Sequence, residues 1–263
     1  MTRHQFWLHP IGLALRVKWM LATVAILALA STSCAKLQAR DNLNKGVRAF
    51  RDAHYENAVN YFKQAVELDP DLTTAEIYLA TAYSQQYIPG GRSEDNDKNA
   101  KLAIQTFENV LKRDPNNVNA IAGLASMYQS LGQTDTTQFQ KAHDYYMKYA
   151  QLDSTNPVPY YAIGSVDWIM VYNKNNPLPE EEQAKFIEEG LANLDKALSL
   201  NPDYEDAMTY KNLLYREKAR LSESEDEKKQ LIAQADEWFN KALETRKKNA
   251  EKKKAPGGGE AAK

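Results

Sequence analysis

Between Leu43 and Pro70 the apolar and small positions recur every three or four residues: Leu43, Gly46, Val47 and Phe50, then Ala58, Phe62, Ala65 and Leu68. That spacing lays one apolar stripe along each of two helices, broken near residues 52–55. Pro70 stops the second helix, because proline has no N–H to continue the ladder and drives the preceding residue out of the α region. The same paired stripes and stop return along the chain. Asp-Pro or Asn-Pro stands at 69–70, 114–115 and 201–202, and Asp153-Ser154 with Pro157 fills the equivalent place between them. The pattern predicts five helix–turn–helix units, at about 39–72, 73–117, 118–156, 157–204 and 205–249.

Within each unit, small residues stand where two helices must cross closely. They are Gly46, Ala58 and Ala65 in the first unit, Ala80 and Ala103 in the second, and Ala125 and Ala142 in the third. Gly164, Gly190 and Ala197 follow in the fourth, then Ala235 and Ala242 in the fifth. Phe62, Phe107, Tyr146, Leu194 and Phe239 are expected to fill the space beside them. This arrangement resembles the tetratricopeptide repeat, a helix–turn–helix unit of about 34 residues. The resemblance implies an all-α, right-handed solenoid of about five such units over residues 35–250. No unit buries its apolar face alone, so the core forms only by stacking. The units here are longer than the repeat requires. The extra length is expected as surface insertions between paired helices, at 88–99, 173–179 and 222–229.

Residues 1–34 read differently. They contain no acidic residue, carry Arg3, Arg16 and Lys18, and then run apolar from Trp19 to Ala30. A basic stretch followed by a short apolar run is the pattern of a secretory signal peptide, and the run falls short of the ~20 residues a spanning helix needs. Small residues Ser31, Thr32 and Ser33 lead into Cys34, the one cysteine of the chain. The segment resembles a bacterial lipoprotein signal, with Ser31 where that motif usually has leucine. The resemblance implies acylation of Cys34 as the mature N-terminus; the other reading of the same residues is an uncleaved signal anchor. Either places the body in the bacterial cell envelope, in the periplasm or beyond the inner membrane. At the other end, residues 251–263 are Lys- and Gly-rich with no large apolar side chain, and are expected to form a disordered, solvated tail.

Charge narrows the function. Lys plus Arg is 33 against 35 Asp plus Glu, a net charge of −2, whereas a nucleic-acid binder carries a basic excess. A lone cysteine excludes intramolecular disulfides and multi-cysteine metal sites. Past the leader the histidines are His54, in the turn of the first unit, and His143, on a second helix; both positions suit partly exposed side chains. The residues spell no zinc-protease, serine-hydrolase or phosphate-loop signature. Glu94-Asp95-Asn96-Asp97 lacks the spacing of an EF-hand and reads as a solvated acidic loop. No cofactor and no catalytic residue is expected, and the chain reads as a non-enzyme.

What remains is the surface that the repeat resemblance implies, a concave groove lined by the first helix of each unit. Carried over unit by unit, its positions are Val47, Phe50 and Arg51, then Tyr78, Thr81 and Gln85, then Ser126 and Gln129. Tyr161, Ser165 and Trp168 come from the fourth unit, and Tyr210, Leu213 and Arg216 from the fifth. Large aromatics, amides and arginines are what recognition surfaces favour. Tyr161 and Trp168 are the expected anchor pair, although Trp168 opens an apolar run to Tyr172 that would equally serve to pack under the 173–179 insertion. Leu43 and Val47 stand where chaperone-binding members carry a lysine–asparagine clamp, so a C-terminal carboxylate is not the expected ligand. The chain therefore reads as an interaction scaffold that takes a protein or peptide partner. Resemblance to envelope repeat lipoproteins implies assembly of outer-membrane, pilus or secretion machinery. The alternative is a structural envelope protein that stacks on itself.

Overall fold

A computed structural model describes residues 34–174 and 176–254. The leader up to residue 33, with its signal motif, and residues 255–263 of the expected tail lie outside the described residues. The described residues are helical throughout, without a strand: α1 (34–51), α2 (Tyr55–Leu68), α3 (Thr73–Gln86), α4 (Glu94–Arg113) and α5 (Val118–Gly132) come first. α6 (Gln138–Leu152), α7 (Pro157–Tyr172), α8 (Glu180–Leu200), α9 (Glu205–Leu221) and α10 (Glu225–Lys254) complete the order. The all-α class holds, and α5 packs on α6, α7 on α8 and α9 on α10, as three of the predicted pairs require. The chain divides into two compact units, Met1–Ala82 and Tyr83–Lys263.

In the first unit α1 and α2 close through a tight turn in which Ala53 adopts φ 57°. The His54 N–H donates to Ala49 O at 2.8 Å, and the Asp52 N–H to Arg48 O at 3.0 Å. Phe62 is fully buried and stacks on Tyr78 at 5.4 Å between ring centroids. Gly46 makes room for it: a methyl group there would lie 2.4 Å from the Phe62 ring. Repeat position and side-chain size are thus coupled, as the small-beside-large pattern required.

In the second unit each helix from α4 to α10 packs on the next, and α7 also packs on α9, the first helix of the following repeat. Phe107, Ile121, Leu124, Ile163, Ile187, Leu194 and Leu214 form the buried spine, each 2% exposed or less. Asparagines start α5 and α7: Asn117 Oδ1 accepts from the Ala120 N–H at 3.1 Å, and Asn156 Oδ1 from the Val158 N–H at 3.0 Å.

Three expectations need correction. Residues 94–97 do not form an acidic loop. Glu94, Asp95 and Asp97 are the first turn of α4, where carboxylates complement the helix dipole, under a Ser93 cap. Asn96 is buried, accepting from the Ile88 N–H at 2.7 Å and donating to the Ile88 and Gly91 carbonyls at 3.0 Å, so it staples the 88–91 turn. Phe239 is not core: it is 46% exposed, whereas Phe62, Phe107, Tyr146 and Leu194 are buried as expected. Finally, α10 runs through Lys254, so the first four residues of the expected tail are helical. Lys248 and Lys252 lie 3.1 and 2.9 Å from Asp203 carboxylate oxygens instead of standing free.

Candidate functional site

The first-helix positions gather most densely in the second unit. Tyr161, Ser165, Trp168 and Tyr172 recur at four-, three- and four-residue steps and therefore share one face of α7. Tyr210 of α9 meets Tyr161 edge-on at 5.7 Å and Trp168 edge-on at 5.6 Å, which places its ring across position 165. Ser165 is accordingly buried at 2% exposure, its hydroxyl donating to Ala162 O at 2.8 Å. It is a spacer that lets Tyr210 in, not a groove contact. Tyr204 joins Tyr161 at 4.8 Å, and Tyr172 stacks on Trp168 at 5.0 Å. The result is a chain of five rings, Tyr204–Tyr161–Tyr210–Trp168–Tyr172.

Tyr161 and Trp168, the expected anchor pair, are thus linked through the ring of Tyr210. Gln129 of α5 belongs to the same neighbourhood, since its Oε1 accepts from the Tyr146 hydroxyl at 2.7 Å and Tyr146 acts electrostatically on Tyr161. Burial pushes the Tyr146 phenol up to about 12. Burial followed by the Asp206 charge does the same for Tyr204, and raises Tyr210. Tyr161 is raised further still, by burial first and then by Tyr210. These hydroxyls remain protonated donors throughout the physiological range.

Two hollows flank Tyr172, which is 48% exposed. One lies between the α5–α6 turn and the end of α7, lined by Gly132, Phe139, Trp168 and Ile169 with Gln133 and Lys174 at its rim. The other lies between Tyr172, Gln183, Glu217 and Arg220. Ile169, Tyr172 and Phe139 were not among the expected contacts. The signal for Ile169 and Tyr172 was the apolar run through Tyr172, longer than the repeat requires.

Other expected contacts lie elsewhere. Arg216 points to α10, with its guanidinium 2.6 Å from Asp236 and donating to Asn212 Oδ1 at 2.9 Å. It is engaged in that ion pair, while Glu217 and Arg220 of the same helix line the hollow beside Tyr172. Leu213 is half-buried, and Ser126 and Gln85 are exposed. Phe50, Val47, Arg51, Tyr78 and Thr81 belong to the first unit. There Phe50 packs edge-on against Tyr55 at 5.3 Å, and the Thr81 hydroxyl donates to Ile77 O at 2.8 Å. Cys34 is exposed at the start of α1.

Sequence reasoning missed a buried polar pair. His143 is 6% exposed, contrary to the expectation of a partly exposed side chain, and its Nε2 lies 3.3 Å from Oδ1 of the fully buried Asp167. Glu189 and Asp144 face the same imidazole at 3.7 and 3.6 Å, and the Phe186 ring stands edge-on to it. The geometry is that of a core pair without access for a substrate. Among the described residues no cluster of His, Cys, Asp or Glu is arranged to hold a metal ion, and no helix is long and apolar enough to cross a membrane.

With this geometry in view, the family comparisons are concordant. A tetratricopeptide-repeat model matches residues 43–72, the α1–α2 pair. A model described as plant specific mitochondrial import receptor subunit TOM20 matches residues 174–258. Among solved structures, MamA aligns over 83% of this chain and 97% of its own at 17% identity, with a TM-score of 0.56. MamA from Desulfovibrio magneticus RS-1 aligns over 80% of this chain and 96% of its own at 18% identity, with a TM-score of 0.57. The chain has the tetratricopeptide-repeat fold. No curated protein matches it by sequence.

Proposed function

We propose that this protein is a non-enzymatic scaffold of the bacterial cell envelope that holds a protein partner along the first helices of its repeats. The observation that carries the reading is the five-ring chain of α7 and α9. Rigid aromatics in half-buried positions contribute large contact area at little entropy cost, the character of interface anchors. The tetratricopeptide-repeat fold is in general that of interaction scaffolds, and no catalytic family is indicated. The family matching 174–258 is named for an import receptor subunit, which is in keeping with recognition of another polypeptide. Attachment to the membrane would come from a lipid on Cys34 or from an uncleaved signal anchor, with the repeats in the periplasm or beyond the inner membrane.

A photo-crosslinking side chain at Tyr172 tests the reading, with one at the exposed Glu181 of α8 as the control. The expected result is an adduct from native membranes at Tyr172 only, lost in the Tyr161→Ala, Trp168→Ala double variant with helicity unchanged. Equal adducts at both positions, or an adduct indifferent to the double variant, would remove the α7 face from consideration. For the anchor, the mature chain should begin at Cys34, and Cys34→Ala should block processing. A full-length mass in membranes would instead identify the signal anchor.

A second reading, a self-associating structural protein, has its own observation. Ile232, Phe239 and Leu243 lie on α10 with 37%, 46% and 39% exposure, a short apolar row on the last helix. Sedimentation velocity across a wide concentration range separates the two readings.

A further inference from the structure

α1 presents two unlike faces. Ala39, Asn42 and Gly46 are buried on one side, where Gly46 meets the Phe62 ring of α2. On the other, Leu37, Arg40, Asn44, Arg48 and Arg51 recur at three- and four-residue steps and form one exposed row. Cys34 opens the same row, lining a shallow hollow together with Leu37, Arg40 and Asn44. Leu37 is 72% exposed, more than any other large apolar side chain among the described residues.

Charge separates this helix from the body that follows it. α1 holds five basic residues, Lys36, Arg40, Lys45, Arg48 and Arg51, against one acidic residue, Asp41, a net charge of +4. Residues 52–245 hold 18 basic against 32 acidic residues, a net charge of −14. Asp41 takes Lys45 at 2.7 Å, whereas Lys36, Arg40, Arg48 and Arg51 make no ion pair among the described residues. The basic end of α10 is different: there Arg246 pairs with Glu205, and Lys248 and Lys252 with Asp203. Lys36 and Arg40 stand four residues apart and Arg48 and Arg51 three, spacings at which like charges on a helix repel. An anionic surface outside the chain relieves that repulsion.

The matching surface is extended, carries phosphates and accepts an apolar side chain. Guanidinium groups pair with phosphate oxygens through two parallel hydrogen bonds. The headgroup layer of an anionic bilayer supplies the phosphates, and the acyl boundary beneath it takes Leu37. Cys34, where the proposed lipid would attach, stands at the head of the row, so a bilayer reached through it meets the arginines next.

We propose that the exposed face of α1, Leu37 with Arg40, Arg48 and Arg51, lies on the anionic headgroup surface of a membrane. From Leu37 to Arg51 the helix rises about 21 Å. This rests on the envelope reading and on attachment at the N-terminal end. It goes further in naming the surface of the first unit that meets the bilayer and the lipid charge it selects.

The test reconstitutes the full chain into vesicles of phosphatidylcholine, alone or with one part in three phosphatidylglycerol. A photo-crosslinking side chain replaces Asn44, with one at Asn60, exposed on α2, as the control. Asn44 lies about 15 Å along the helix from Cys34, so an anchor alone does not bring it to lipid. Lipid adducts at Asn44 should exceed those at Asn60 by about tenfold or more in the phosphatidylglycerol vesicles, and should fall in neutral vesicles and at high salt. Arg40→Gln, Arg48→Gln and Arg51→Gln together should lower the yield by about tenfold or more. Should that variant lose helicity, the two vesicle compositions and the salt dependence decide the matter.

Equal adducts at Asn44 and Asn60, a yield indifferent to lipid charge, or a yield that survives the triple variant would each overturn the proposal. A chain that stays with the vesicles without an adduct at Asn44 refutes the α1 surface while the anchor stands. A chain that associates with neither vesicle refutes both.

Discussion

The imidazole Nε2 of His143 lies 3.3 Å from Oδ1 of Asp167, and neither ring nitrogen nor carboxylate oxygen makes a hydrogen bond among the described residues. The pair ties α6 to α7 inside the core of the second unit. Burial, and then the charge of Glu189, holds the Asp167 carboxyl well above the usual carboxylate range. An unfolded aspartate titrates near about 3.9. Above that pH the unfolded chain releases a proton that the native chain retains. Stability therefore falls as pH rises, until the native group also ionises.

Asp167→Asn removes the ionisable group and keeps its size. Stability at neutral pH should increase by about 1–3 kcal/mol, and its decline between about pH 4 and pH 7 should flatten. Urea denaturation across that range measures both. A less stable variant at neutral pH would show that the ionised carboxylate is held as a counter-charge to His143.

Much of the fold was legible because repeat patterns place small and large residues at fixed positions, and Gly46 beside Phe62 or Gly164 beside Leu194 follow from size alone. The candidate site was half legible. Spacing put Tyr161 and Trp168 on one face, but could not show that Tyr210 would lean between them and bury Ser165. The ion pair of Arg216 was not legible, because Asp236 lies on another helix and the choice between solvent and ion pair is tertiary. The His143–Asp167 pair joins residues far apart in sequence, so no local signal reports it. Asn96 was hidden for a different reason. Its acidic neighbours look like a loop until the Ser93 cap identifies them as a helix start.

Ala53 occupies the left-handed region at φ 57°, where a β-carbon crowds the following carbonyl. Ala53→Gly should remove that strain and lose part of the gain to the greater freedom of the unfolded chain. A net stabilisation of about 0.5–1 kcal/mol is expected. The comparison is a pair of denaturation midpoints. A lower midpoint for the glycine variant would mean that the turn relaxes away from this conformation in solution.

Asp203 anchors the end of α10, and the bonds from Lys252 and then Lys248 hold its carboxyl below the usual range. A depressed native value means that the contribution is present above about pH 4, the unfolded range, and is lost as pH falls through the native value. Amide exchange over residues 246–252 should therefore accelerate in acid relative to the middle of α10. Asp203→Asn should reproduce that fraying at neutral pH without lowering the global midpoint. Protection that is uniform along α10 at both pH values would show that the helix end is held by something other than these lysines.

Phe107 and Phe239 occupy matching repeat positions with opposite surroundings. Phe107 is 2% exposed, and a methyl group on Gly123 would come within 2.2 Å of its ring. Phe239 is 46% exposed, because α10 packs on α9 and no further helix covers it among the described residues. Phe107→Ala should cost about 3–5 kcal/mol, combining lost transfer energy with an unfilled cavity. Phe239→Ala should cost about 1 kcal/mol or less, since its ring already meets water. Parallel urea titrations read the difference. If Phe239→Ala proves as costly as Phe107→Ala, the apolar row of α10 is covered in solution. A midpoint that then rises with protein concentration would identify a second copy as the cover.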